Sequence, residues 1–441
     1  QQAAIDDVCS KIQGRGQLLM ACGTGKTLTG QRITEALESK TTLVLLPSLL
    51  LLSKTVADWV SEKEKDFIYL PVCSDKSATK KTDEVSLSNS ELCFRSTTDS
   101  TEIARFLKRP ERKVIFSTYQ SSPQIAEAFK TESLKPFDLI IADEAHRCAG
   151  KVSSDYSTVL SEDLISAKQR LFMTATPRTY SSRLKQNAMD AEVQVASMDD
   201  EQVFGPVLHH LTFGQAIEND PPLLTDYRVV VVGVNDALVR EQVEERAFVK
   251  TESGLEDDAR SLATQLGLSK AIRDYDLKRV ISFHSFVKSA SDFSSSFIRL
   301  QDDLKTESKP SGKIEYKHVS GAMPTSQRNR ELRALGELRD ADRYIVGNAR
   351  CLSEGVDVPA LDGVAFVDPK RSEIDIVQAV GRAIRLAKGK SLGTIVIPVF
   401  ISEFEDPDAA MQSSAFDQIW KVLRALRCHD DALGEELDAL R

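Results

Sequence analysis

An α/β protein made of two parallel-sheet units in series is predicted from three observations. Short apolar runs alternate with stretches of helical period along most of the 441 residues. A glycine-bearing turn follows the first such run, and the alternation restarts after a connector marked by proline and glycine. Apolar runs without polar interruption belong to strands covered on both faces, which is the environment of a parallel sheet with helices above and below. The length exceeds what one core ordinarily organises, so division into two or three domains is expected.

The first run, Leu18, Leu19 and Met20, leads into MACGTGKT at 20–27. The turn ends in Gly25, Lys26 and Thr27, which open a helical pattern. Apolar runs follow at 43–46, with a helix from about Ser48, and at 114–117, with a helix from about Ser121. Two more lie at 137–142 and 171–174. Between about 74 and 100 the chain is rich in Ser, Thr and Lys and lacks period, so a surface excursion is expected there, with a helix restarting near Thr101. The connector, about 191–226, carries Gly205, Pro206, Gly214, Pro221 and Pro222.

The second series has apolar runs at 229–234, 280–283, 316–319, 344–346, 364–367 and 394–400. The charged stretch at about 235–258 reads as a solvated helix and loop. From about 406 the chain turns to helical period with mixed charge. The expected division is 1–210, 211–405 and a short helical tail at 406–441 that packs back or leads into a further domain.

Hydrophobic residues at 41% and charged residues at 28% are those of a globular chain, and no apolar run reaches membrane-spanning length. With no secretory signal pattern, a cytoplasmic location is expected and no membrane partner. Seven scattered cysteines without a CxxC pair indicate neither a disulfide framework nor a zinc site. A formal net charge of −9 does not announce a nucleic-acid binder, yet a local track of phosphate contacts can coexist with an acidic remainder. The chain begins at Gln1 rather than methionine, which suggests a piece of a longer polypeptide.

Three stretches carry chemistry. In 20–27, Gly23, Thr24 and Gly25 let backbone N–H groups converge on an anion at a helix N-terminus. Lys26 adds a point charge, and the Thr27 hydroxyl can ligand Mg²⁺. Met20 stands where the strict phosphate-loop pattern has glycine, so the match is to its shorter GxGKT core. In FDLIIADEAH at 137–146, a strand runs into Asp143, suited to hold Mg²⁺, and Glu144, suited to deprotonate an attacking water. In QAVGRAIR at 378–385, a helical pattern carries Arg382 and Arg385 despite Gly381, which costs about 1 kcal/mol relative to alanine inside a helix.

In this order the motifs resemble those of the superfamily 2 helicases and translocases, in the DEAH-bearing branch. The resemblance implies two tandem RecA-like domains of the P-loop NTPase class, ATP with Mg²⁺ as cofactors, and nucleic acid as partner. It makes Lys26, Asp143, Glu144, Arg382 and Arg385 catalytic, with Arg385 as arginine finger. Gln1 would read adenine, and Gly355 and Asp357, in CLSEGVDVP, would lie near the nucleotide.

Pro47 and Ser48 (LPS), Ser117 and Thr118 (STYQ), and Ser320 and Gly321 (HVSG) resemble nucleic-acid contacts. His146, Thr174 and Thr176 (TAT), and Gln378 resemble residues that couple the two sites. The connector and the ending CHDDALGEELDAL look similar to motor segments of bacterial restriction-modification enzymes of the type ISP class and to helicases carrying helicase-associated repeats.

That finer likeness implies double-stranded DNA as track, with nuclease or methyltransferase domains elsewhere in a longer chain. Three alternatives stay open: an ATP-gated nucleic-acid clamp that does not move, an RNA helicase, and a small-molecule kinase or other P-loop enzyme.

Overall fold

A computed structural model describes residues 1–73, 95–151, 155–190, 194–235, 252–321, 323–338, 341–348, 361–368, 372–401, 414–430 and 433–435. The described residues form two compact units, one reaching Phe213 and the other starting at Gly214.

In the first unit the strands are β1 (Arg15–Met20), β2 (Thr41–Leu46), β3 (Ile68–Val72), β4 (Lys113–Thr118), β5 (Phe137–Asp143), β7 (Ala167–Thr174) and β9 (Val207–Leu211), with the short pair β6 (Gly150–Lys151) and β8 (Val195–Ala196) set apart. The seven longer strands make one sheet in the order β3-β4-β2-β5-β7-β1-β9, every pairing parallel. Helices α1 (Gln2–Lys11), α2 (Lys26–Ala36), α3 (Leu49–Ser61), α4 (Ser100–Leu107) and α5 (Ser122–Thr131) alternate with them.

Strand side chains alternate between two cores, as the period of two requires. Val44, Leu46, Phe116, Ile141 and Met173 pack with Val8, Ile33, Leu52 and Trp59 of α1, α2 and α3. Leu43, Leu45, Ile115, Ile140 and Phe172 pack on the opposite face with Ile103 of α4 and Ile125 and Ala128 of α5. Both faces are therefore covered, which accounts for the continuous apolar runs.

The connector is not merely a link. Its residues 207–211 form β9, which pairs with β1 and closes that edge of the sheet. Close packing holds it there: the buried Gln17 amide donates to the carbonyl oxygens of Met198 (2.9 Å) and Gly205 (2.8 Å). Gly205 has φ 75°, and a Cβ on it would stand 2.3 Å from the Arg15 carbonyl. His209 pairs with Asp7 of α1 at 2.7 Å.

The second unit contains β10 (Asp226–Asn235), β11 (Arg279–Phe283), β12 (Ile314–Val319), β13 (Arg343–Asn348), β14 (Gly363–Phe366) and β15 (Leu392–Ile401). They form a parallel sheet in the order β10-β15-β14-β11-β13-β12. Val232, Val280, Ile345, Ala365 and Val396 pack there with Leu268 and Ile272 of the helix Glu252–Asp274 and Phe297 of the helix Val287–Asp303. The tail supplies the helix Ser414–Arg427, which packs on the helix Glu373–Ala383 and on β15, within this second unit. Among the described residues no helix is long and apolar enough to cross a membrane.

Candidate functional site

β1 ends at Met20, and the chain turns through Gly23 (φ 90°) and Gly25 (φ 91°) before α2 begins at Lys26. Left-handed backbone at both positions is what glycine permits without a Cβ penalty. Thr24 Oγ1 donates to the Ala21 carbonyl (2.7 Å), and Thr29 N and Oγ1 donate to the Gly25 carbonyl (3.0 and 3.1 Å). No acidic residue stands in the first turn of α2, so its N-terminal N–H groups keep their positive end for an anion. Lys26 Nζ reaches back over the loop to the Met20 carbonyl at 3.2 Å.

Two side chains brace this loop from outside it. Gln1 Nε2 donates to the Thr24 carbonyl at 3.3 Å, which sets the N-terminal glutamine directly against the phosphate loop. Trp59 of α3, a residue without a sequence signal, donates from Nε1 to the Thr27 carbonyl (3.2 Å), and its own carbonyl receives Gln31 Nε2 (2.7 Å).

β7 lies between β1 and β5, with Leu19 opposite Thr174 and Met173 opposite Asp143. Three carboxyl ends are thus aligned, and two strand spacings put the β5 end about 10 Å from the loop. Asp143 is buried, and its Oδ1 accepts from Glu144 N at 2.9 Å. Glu144 itself is held in the left-handed region (φ 49°, ψ 48°), a strained backbone for a residue with a Cβ.

The buried Oε2 of Glu144 makes no hydrogen bond and stands 3.4 Å from His146 Nδ1. That same nitrogen lies 3.0 Å from Thr174 Oγ1 and 3.5 Å from Thr176 Oγ1. The expected coupling residues of the first unit therefore gather around one imidazole.

Hard oxygen donors at Asp143 and Thr27, a glycine cradle and an unsatisfied carboxylate oxygen fit Mg²⁺ with a nucleotide. Mg²⁺ keeps most of its shell as water and phosphate oxygens. It does not need a cluster of three protein carboxylates or imidazoles, and none occurs among the described residues.

In the second unit Gln378 and Arg382 lie buried on the helix Glu373–Ala383. The expectation of one helix carrying both arginines is corrected: the helix stops at Ala383, and half-buried Arg385 lies past it, bridged through its backbone to Leu224. The reason is competition for carbonyls. Thr225 takes the Ile384 carbonyl with N (2.8 Å) and Oγ1 (3.0 Å), and Lys390 Nζ donates to the Ala383 carbonyl and, at 3.1 Å, to that of Arg385. Burial pulls the Lys390 ammonium down to about 8. Gly355 and Asp357 fall outside the described residues.

The expected nucleic-acid contacts are less exposed than the sequence suggests. Ser117 and Thr118 are buried, with Ser117 Oγ donating to the Thr118 carbonyl (3.0 Å) and Thr118 Oγ1 to Ser121 Oγ (3.1 Å), so Gln120 is the exposed member of that segment. Pro47 is buried, and half-buried Ser48 caps α3 by accepting from Leu51 N at 3.3 Å. Ser320, also buried, and half-buried Gly321 follow the end of β12. His284, at the end of β11, is a buried structural group: Nε2 meets Ser282 Oγ (3.0 Å) and Tyr316 OH (3.2 Å), and burial depresses it to about 3.

Comparison with known proteins bears on the family and the fold. Residues 1–179 match the family model described as the type III restriction enzyme, res subunit, and residues 267–387 match the helicase conserved C-terminal domain. The chain is a superfamily 2 helicase motor.

The motor resembles those of type ISP enzymes. Superposed on the ATP-dependent type ISP restriction-modification enzyme LlaBIII bound to DNA, it is 33% identical with a TM-score of 0.81, covering 98% of this chain and 30% of that one. Against a nuclease-deletion mutant of the type ISP enzyme LlaGI in complex with a DNA substrate mimic, identity is 28% and the TM-score 0.67, over 100% of this chain and 29% of the other. A probable helicase of African swine fever virus is 25% identical over 395 residues, 88% of this chain and 39% of that protein. The motor therefore spans well under half the length of each of these relatives.

Proposed function

We propose that this motor hydrolyses ATP with Mg²⁺ and converts hydrolysis into movement along DNA, double-stranded DNA being the favoured track. The observation that carries the reading is the alignment of the β1, β7 and β5 carboxyl ends, which sets Lys26, Thr27, Asp143 and Glu144 along the carboxyl end of one sheet. Lys26 and the loop N–H groups bind phosphate, Thr27 and Asp143 hold the metal, and Glu144 orients and deprotonates the attacking water. His146, Thr174 and Thr176 join that base to the end of β7.

We assign Arg382 and Arg385 to contact with the ATP phosphates, as their motif implies. Such a contact typically raises turnover by about 10³ to 10⁵. Pro47, Ser48, Ser117, Thr118, Ser320 and Gly321 mark segments that follow the nucleic-acid backbone, with main-chain groups and Gln120 making the contacts where the hydroxyls are turned inward. Gln378 couples the arginines to that track. Two similar enzymes solved with DNA or a DNA mimic support DNA as partner. Nuclease or methyltransferase domains in a longer chain, and a cytoplasmic location, belong to the same reading.

The deciding experiment measures ATPase rates with single-stranded DNA, duplex DNA and RNA in parallel, alongside displacement of a triplex-forming oligonucleotide. Duplex-stimulated turnover with displacement, lost in Lys26→Ala, is the expected result. Stimulation by RNA alone refutes the track, and ATP-dependent affinity without displacement identifies a static clamp instead.

A further inference from the structure

Tyr119 lies in the segment between β4 and α5, and none of the motif roles above involves it. Its side chain is wholly buried, and its hydroxyl donates to the Asp143 carbonyl oxygen at 2.7 Å. The N–H of that same peptide unit, Glu144 N, is held at 2.9 Å by Asp143 Oδ1. Both polar ends of the Asp143–Glu144 peptide are therefore tied. The orientation of this peptide sets Glu144 in its left-handed backbone and so aims the carboxylate.

The opposite side of Tyr119 leads outward. Its ring stacks on Tyr156 with centroids 5.3 Å apart and 28° between planes. Tyr156 OH accepts from Nε2 of the exposed Gln120 at 2.6 Å. The hydroxyl of Tyr119 also has the Cys148 thiol as hydrogen-bond partner, and burial pushes that thiol up to about 12, so both groups stay neutral at ordinary pH. A continuous set of contacts thus joins the exposed end of the 117–120 segment to the peptide that carries the hydrolytic base.

We propose that Tyr119 is a positioning residue: it sets the Asp143–Glu144 peptide and transmits contact of a nucleic-acid backbone at Gln120 to the orientation of Glu144. The inference rests on the reading of the chain as a nucleic-acid-stimulated ATPase. Hydrolysis in the absence of DNA samples the productive carboxylate orientation only part of the time. Contact at Gln120 tightens the Gln120–Tyr156–Tyr119 set and favours that orientation, so stimulation acts on turnover rather than on ATP binding.

Tyr119→Phe removes the hydroxyl and keeps the ring. The ratio of duplex-stimulated to unstimulated turnover is expected to fall about tenfold, the kinetic equivalent of one buried hydrogen bond. KM for ATP and the affinity for duplex DNA should stay within about twofold, since neither contact set is altered.

An unchanged ratio, or stimulated and unstimulated rates falling by the same factor, overturns the proposal, because a merely structural role lowers both alike. If the unaltered protein shows no stimulation by any nucleic acid, the parent reading fails instead, and the two failures are told apart by that control. Should Tyr119→Phe not fold, Tyr156→Phe tests the same contacts from the solvent side: a drop in the ratio of about two- to threefold supports the proposal and an unchanged ratio overturns it.

Discussion

Replacing Gly25 with alanine perturbs the phosphate loop without touching a charged group. Gly25 sits at φ 91°, ψ 31°, where a Cβ crowds the following carbonyl oxygen at a cost of about 1–2 kcal/mol. The new Cβ would also stand 2.1 Å from Gln1 Nε2. Gln1 must then swing aside and give up its 3.3 Å hydrogen bond to the Thr24 carbonyl, a loss of about 0.5–1.5 kcal/mol net. The first unit should therefore lose about 2–3 kcal/mol, a shift of the urea midpoint of about 1 M.

In a Gln1→Ala background the glutamine contact is already gone, so the same substitution should cost only the backbone strain. The difference between backgrounds, about 1 kcal/mol, is the coupling read by the double-mutant cycle. Unfolding in urea, followed by tryptophan fluorescence, reports on it, since Trp59 braces the loop through Thr27. Equal costs in the two backgrounds refute the Gln1 contact, and no cost in either refutes the left-handed loop itself.

Two further outcomes follow from the site. Glu144→Gln keeps the side chain's size and should bind an ATP analogue within about threefold of the parent while turnover falls about 10²- to 10⁴-fold; turnover at half the parental rate would exclude Glu144 as the base. Arg385→Ala should lower stimulated turnover about 10³-fold with the fold intact, since its bridge to Leu224 is a main-chain contact. Full stimulated turnover in that variant would show that the second unit does not act on phosphate.

Stability of the second unit should fall on acidification, because His284 is depressed to about 3 when folded against an ordinary 6.5. Below 6.5 the unfolded chain takes up a proton that the folded unit refuses. The contribution is whole above 6.5 and declines toward 3, a loss of about 2 kcal/mol at pH 5. Asp368, 4.0 Å from His284 Nδ1 and raised by burial, works in the opposite sense nearer the carboxylate range. Urea midpoints of the parent and His284→Gln at pH 7.5 and pH 5 measure the effect, and parent midpoints that do not move refute it.

Much of the fold was legible because its causes are local. The strands at 113–118, 137–143 and 343–348 are covered on both faces, so each announces itself as an apolar run. β3 and β9 did not: they lie at the two edges of the sheet, and IYLPV and VLHHL mix exposed with buried positions. β9 is recognisable as a strand only because Gln17 and Gly205 dock the connector on β1.

The parts of the site readable from residues alone are those whose energetics are short-range. Glycines appear where φ is positive, Lys26 and Thr27 follow at the first turn of α2, and carboxylates stand at the end of β5. A backbone conformation or a strand end imposes those residue types within a few positions.

Arg385 leaves its helix through a contact that only the folded chain makes, because Thr225, 159 residues away, takes the Ile384 carbonyl. Folding likewise places Tyr119 on the Asp143 carbonyl and turns Ser117 and Thr118 inward. Buried polar groups must find partners, and which partner each finds depends on what folding brings beside it, a distance that no local pattern records.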